Sequence, residues 1–125
     1  MTIRARALSW LGSRRIPSNY VVTSKRYAPH ESWTKEKAWW IQIPLRAVEQ
    51  GKTIDVLLEA EKSAVAFHHL RVPAEFVTKR LPSFALIGDS KINLFLGVDA
   101  GREFEDQRGP GRVSFKQFLQ TPTQD

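Results

Sequence analysis

The strongest constraint on the fold of this chain is a period-two alternation of apolar and polar side chains in several separate segments. Residues 39–43 carry apolar side chains at the odd positions, and Pro44 ends that segment. Residues 54–60 and 92–98 carry apolar side chains at the even positions. Because successive side chains of a β-strand point to opposite faces, this alternation predicts strands with one buried face each.

The spacing of turns between these segments predicts the architecture. Residues 53–72 and 84–98 read as two hairpins, residues 19–27 as a first strand and residues 99–112 as a long surface loop. Helices are predicted over residues 45–50, over residues 73–82 and, capped by Ser114, over the segment with Phe115, Phe118 and Leu119. The predicted fold class is therefore α+β: an antiparallel sheet of about six strands, which could curl into a partial barrel, with two or three short helices.

The chain of 125 residues has the length of one domain, preceded by a basic segment. Residues 1–18 are predicted to form an N-terminal arm or short helix, residues 19–120 a single domain, and residues 121–125 a flexible tail. In the first segment Ile3, Ala7, Trp10 and Leu11 share one helical face. We expect a cytoplasmic protein. The arginines and the lack of acids in this segment are also typical of a mitochondrial transit peptide, which makes mitochondria the alternative location.

Positive charge and flat aromatic rings are concentrated in the first third of the chain. Residues 1–46 contain nine basic and two acidic side chains, whereas the whole chain has a net charge of +6. All four Trp and both Tyr lie in the same region. Phosphates attract Arg and Lys, and unstacked bases pack on aromatic rings, so this combination favours DNA or RNA as a partner. One alternative is that these rings pack a core. Another is that the charge attracts an acidic protein or an anionic membrane surface.

The predicted nucleic-acid contacts follow from this interpretation. Trp39 is excluded, because its parity places it in the core with Ile41 and Ile43. We expect six basic side chains to share one face of the fold with at least two of five aromatic side chains. The basic ones are Arg4, Arg6, Arg14, Arg15, Lys25 and Arg26, and the aromatic ones are Trp10, Tyr20, Tyr27, Trp33 and Trp40.

The hairpin over residues 53–72 carries the strongest candidates for catalysis. A three-residue turn would place Val56 opposite His68 and Asp55 opposite His69, with His68 inside and His69 outside. Asp55, Glu59 and His69 would then share the outer face, where they could act as a metal-dependent nuclease site. The alternative is a solvated face of paired charges. Lys62 lies in the turn, so the carboxylate and lysine spacing typical of nucleases is absent.

A weaker candidate is an anion site formed by Arg108 and Arg112. These arginines flank Gly-Pro-Gly just before the predicted C-terminal helix, and glycines let the backbone approach a ligand. The alternative is a mobile loop whose arginines pair with the acidic residues just before it.

Several chemistries are excluded or disfavoured. There is no cysteine, so disulfides, thiolate catalysis and cysteine-bound zinc are ruled out. The chain has no nucleophile elbow, phosphate loop or dinucleotide fingerprint, and no apolar run near the ~20 residues of a membrane span. We expect no metal and no cofactor. The sequence favours a small nucleic-acid-binding domain, with a nuclease-type enzyme or a protein-interaction domain as alternatives.

Overall fold

The computed structural model describes residues 2–24, 26–27, 38–60, 63–98 and 103–120. Within them the α-helices are α1 (Ile3–Leu11), α2 (Leu45–Glu49) and α3 (Ala74–Lys79). The strands are β1 (Tyr20–Ser24), β2 (Arg26–Tyr27), β3 (Ala38–Pro44), β4 (Ile54–Ala60), β5 (Ser63–Val72), β6 (Ala85–Ile87) and β7 (Lys91–Gly97). The α+β class and the approximate number of strands are therefore confirmed.

The strands are divided between two sheets, where the sequence predicted one. The small sheet has the order β1-β4-β5, and the large sheet has the order β2-β3-β7-β6. β1 pairs with β4 in parallel, whereas the other strand pairs are antiparallel. A parallel pair needs a long crossover, and the chain between β1 and β4 supplies it through the large sheet. The described strands do not close a barrel.

The main core lies between the two sheets. Val56, Leu58, Leu94 and Leu96 are all buried, which confirms the alternation predicted for β4 and β7. Trp39 is only 1% exposed and packs in this core, again as its parity predicts. α2 and α3 follow Pro44 and Pro73, as predicted, and bury alanine and valine side chains against the same core.

The predicted helical face near the N-terminus is also present and covers the outer side of the small sheet. Ala7 and Leu11 of α1 are buried against Val21, Leu57 and Phe67. The small sheet is thus covered on both faces, and this explains why β4 is buried at odd as well as even positions. None of the helices in the described residues is long and apolar enough to cross a membrane.

The register of the β4–β5 hairpin corrects the prediction for the two histidines. Leu58 lies opposite His68 and Asp55 opposite Arg71, because the register shifts between Glu59 and Ala60. The pairing is displaced by two residues from the predicted one, so each side chain stays on the face of the sheet that was predicted for it. His68 does face the main core, where it contacts Trp39, but it is only half-buried. His69 is 3% exposed, so the prediction that it lies outside is wrong.

The described part of the predicted surface loop, residues 103–112, is partly buried. Phe104 and Asp106 are fully buried, and Glu105 forms an isolated bridge with Ser114. The predicted C-terminal helix is a 3-10 turn over Lys116–Phe118, preceded by the buried Phe115. Ser114 Oγ accepts a hydrogen bond from the Lys116 N–H at 3.3 Å, but Phe115 is the N-cap residue of this turn, so the prediction that Ser114 caps a helix is wrong.

Candidate nucleic-acid interface

Two aromatic rings lie side by side on the outer face of the large sheet. Trp40 and Phe95 are directly opposite each other on β3 and β7, the central strands of that sheet. Their ring centroids are 6.1 Å apart, with the rings nearly perpendicular. The Trp40 indole N–H donates to Asn93 Oδ1, and this hydrogen bond fixes the orientation of the indole. Both rings are half-buried, so each has an accessible part.

A cation lies over the second of these rings. The Arg108 guanidinium carbon is 5.3 Å from the Phe95 ring centroid, and Arg108 is exposed. We call Trp40, Phe95 and Arg108 the stacking platform. A guanidinium that lies over an aromatic ring can pair with a phosphate while the neighbouring ring contacts a base.

A buried carboxylate holds Arg108 in place. Asp106 is fully buried and accepts hydrogen bonds from the backbone N–H groups of Phe95, Arg108 and Gly109, at 3.1, 3.0 and 3.0 Å. Burial raises the pKa of Asp106 above its usual value, although these hydrogen bonds oppose the shift. The loop that carries Arg108 is therefore tied directly to the strand that carries Phe95.

The glycines of the Arg108–Arg112 segment have a packing role. A Cβ atom on Gly109 would lie 2.5 Å from the Ser83 carbonyl oxygen, and one on Gly111 would lie 2.3 Å from Ser83 Cβ. Arg112 donates to Gln107 Oε1 at 2.8 Å and is exposed. The anion site predicted from Arg108 and Arg112 stays a prediction, but close contact with Ser83 accounts for the glycines without a ligand.

A cleft adjoins the stacking platform where β1 and β3 run side by side without pairing. It has a volume of about 320 Å³. Arg4 lies at this cleft, together with Tyr20 and Trp40 from the predicted set and with Gln42, which the sequence did not single out. Arg4 donates from Nη1 to the Val21 carbonyl oxygen at 2.9 Å. Three of the predicted contact residues are thus brought together here.

The other predicted contacts in the N-terminal third have diverse positions. Arg14 packs on Trp10, 4.2 Å from its ring centroid, and donates to the carbonyl groups of Trp10 and Leu11, which end α1. Arg6 forms an ion pair with Glu59 at 3.2 Å. Arg15 is exposed. Lys25 and Trp33 lie outside the described residues, as do the side chains of Arg26 and Tyr27, so a common face for the whole set stays a prediction.

The residues proposed as a nuclease site form a buried polar network instead. His69 Nε2 and Arg71 Nε both lie 2.8 Å from Asp55 Oδ1, and Asn19 donates to Asp55 Oδ2 at 3.1 Å. α1 covers this face, which leaves Asp55 completely buried. Burial alone would raise the pKa of Asp55, but the hydrogen bonds from His69, Arg71 and Asn19 hold it below its usual value.

This network lacks the features of a metal centre. Both Asp55 oxygens accept hydrogen bonds from neighbouring side chains, and Glu59 is paired with Arg6. In the part of the chain that the structure describes, no group of three His, Asp or Glu side chains could hold a metal ion. What the sequence missed is that α1 covers the face where Asp55, Glu59 and His69 were expected to meet solvent.

Phe95 is the functional candidate that sequence reasoning missed. Its signal was present, because it stands between the buried Leu94 and Leu96 and must therefore point away from the core. The partner ring and the cation come from distant segments, and no local pattern connects them. Comparison of the chain with known protein families, with curated protein sequences and with solved structures finds no match.

Proposed function

We propose that this protein binds nucleic acid, with unpaired bases packed on the stacking platform of Trp40, Phe95 and Arg108. The observation that carries the proposal is the placement of two half-buried rings on the central strands of the large sheet, with an exposed arginine beside them. Stacking needs a ring that is fixed but accessible, because immobilising a mobile ring would cost entropy.

The charge of the chain supports the same partner. The net charge is +6, and it comes from the first third of the sequence. Arg4 and Arg15 are exposed in this region, and Arg108 and Arg112 add exposed cations near the platform. Phosphate contacts of this kind release counterions, so the affinity should fall steeply as salt is added.

Catalysis at Asp55, Glu59 and His69 is not part of this proposal. Asp55 and His69 are buried under α1 and hydrogen-bonded to each other, so a phosphodiester could not approach them without displacement of the helix. The interpretation of the protein as a binding domain accounts for the half-buried rings and the exposed cations without requiring a reaction.

The test is a fluorescence anisotropy titration with labelled single-stranded DNA, single-stranded RNA and a duplex, at low and at physiological salt. Trp40→Ala and Phe95→Ala should each weaken binding to single strands by about 1–3 kcal/mol if each ring stacks on one base. Arg108→Gln should weaken binding to all sequences alike and reduce the salt slope by about one unit.

The control for these variants is Phe118→Ala. Phe118 is also half-buried, but it packs against Phe76 beside α3 and not on the large sheet. Its loss should leave affinity unchanged while any effect on thermal stability is measured separately. Absence of saturable binding of the wild-type chain to all three probes at micromolar protein and low salt would refute the proposal.

A further inference from the structure

The cleft between β1 and β3 is a gap in strand pairing that presents backbone groups. The Tyr20 N–H donates to the Thr53 carbonyl oxygen at 2.9 Å, so the backbone N–H and C=O groups of Tyr20 point toward β4. In a parallel pair the backbone groups of alternate residues point toward the partner strand. The backbone groups of Val21 and Thr23 therefore point away from β4. The contact of Arg4 Nη1 with the Val21 carbonyl oxygen agrees with this direction.

The backbone of β3 contributes from the opposite side. The Trp40 N–H donates to Ser24 Oγ at 3.1 Å, which joins the two strands at one end of the cleft. Gln42 lies two residues after Trp40 on β3, so its backbone N–H and C=O groups point to the same side as those of Trp40, toward the cleft. Among the residues that the structure describes, none donates to or accepts from the backbone of Thr23 or Gln42 across this gap.

Thr23 and Gln42 are half-buried, so water can satisfy these backbone groups, and a ligand that displaces this water must offer matching donors and acceptors. The N–H and C=O of Thr23 point the same way and form a donor beside an acceptor. The edge of a nucleobase also carries adjacent donors and acceptors, and it can complement such a pair. Trp40 belongs to both the cleft and the stacking platform, so the two surfaces are continuous.

We infer that the cleft receives one unpaired base of a bound nucleic-acid strand, with a phosphate of that nucleotide on Arg4. This inference rests on the proposed function and assigns the cleft a separate task within it. The bases on the stacking platform are held by their faces, which is tolerant of sequence. The base in the cleft is held by its edge, so this position should discriminate among bases.

The first test records amide spectra of the isotope-labelled protein during titration with each of the four nucleoside monophosphates. We expect saturable shifts of the Thr23 and Gln42 amides, larger for some bases than for others. A titration in which an uncharged extended peptide of alternating serine and threonine shifts these amides, and no monophosphate does, would make the cleft a strand-addition site and overturn the inference.

The second test uses a short mixed-sequence single strand and versions of it with one abasic position each. We expect one position whose loss weakens binding about 5- to 150-fold beyond what stacking losses elsewhere cause, the fold-change that corresponds to roughly 1–3 kcal/mol for a pair of hydrogen bonds to a base edge. Arg4→Gln should reduce both the salt slope, by about one unit, and the penalty at that abasic position. The matched control is Arg15→Gln, which removes the same charge from an exposed arginine.

The outcomes separate the two claims. One outcome supports the stacking platform and contradicts the cleft inference. In it, single strands bind and Trp40→Ala weakens this binding, but every abasic position lowers the affinity equally and the Thr23 amide does not shift. If Arg4→Gln and Arg15→Gln have equal effects on the abasic profile, the cleft inference is wrong as well. If no strand binds at low salt, both claims fail together.

Discussion

Replacement of Asp55 by Asn tests how much the buried polar network contributes to the free energy of unfolding. Asp55 is completely buried and receives hydrogen bonds from His69, Arg71 and Asn19. Loss of one partner of a fully buried ion pair costs about 3–5 kcal/mol. The Arg71 side chain is 26% exposed and can turn partly to water, so the cost should be lower, about 2–4 kcal/mol. That is a large fraction of the stability of about 5–15 kcal/mol typical of a domain.

The assay is urea denaturation followed by far-ultraviolet circular dichroism, with Glu59→Gln as the control. Glu59 pairs with Arg6 on the same face, but both side chains are partly exposed, at 21% and 26%. Loss of that pair should cost less than about 1 kcal/mol. The contrast between the two variants isolates the effect of burial from the effect of charge removal.

The stability difference between wild type and Asp55→Asn should also depend on pH. The pKa of folded Asp55 is lower than in the unfolded chain, so the charged carboxylate stabilises the fold above about pH 4. That contribution is lost as the pH falls through the lower folded pKa. The two urea midpoints should therefore converge on acidification. A difference below about 0.5 kcal/mol near neutral pH, or one that is the same near pH 3, would refute this account.

Two further predictions concern the loop behind the stacking platform and the half-buried histidine. Gly109→Ala should lower stability by about 1–3 kcal/mol in thermal denaturation, because its Cβ would collide with the backbone of Ser83; an unchanged melting temperature would contradict this packing. His68 should titrate below the usual histidine value in proton NMR, because burial beside Trp39 and Phe104 lowers its pKa while the charge of Glu103 only partly opposes the shift. Protonation of His68 should accordingly destabilise the fold as the pH drops below about 6.5, and His68→Phe should weaken that dependence.

Local sequence patterns alone predicted the strands β3, β4, β5 and β7, the helices α2 and α3, and the faces turned toward the main core. Alternation at period two is a property of a single strand, so Trp39 could be assigned to the core and Trp40 to the outside without any knowledge of neighbouring strands. Pro44 and Pro73 predicted the starts of α2 and α3 for an equally local reason, since proline is compatible with the first turn of a helix.

Only the tertiary structure decided what covers each face and which distant residues meet. The odd face of β4 and β5 reads as solvated from its charges, yet α1 packs over it and turns Asp55 and His69 into a buried pair. Burial depends on an element more than forty residues away in sequence, and the hairpin alone contains no signal of it. The same is true of the stacking platform, in which Trp40, Phe95 and Arg108 come from separate segments that are joined by strand pairing and by the bonds of Asp106. Contacts of long sequence separation arise from the packing of whole elements, which local periodicity does not encode.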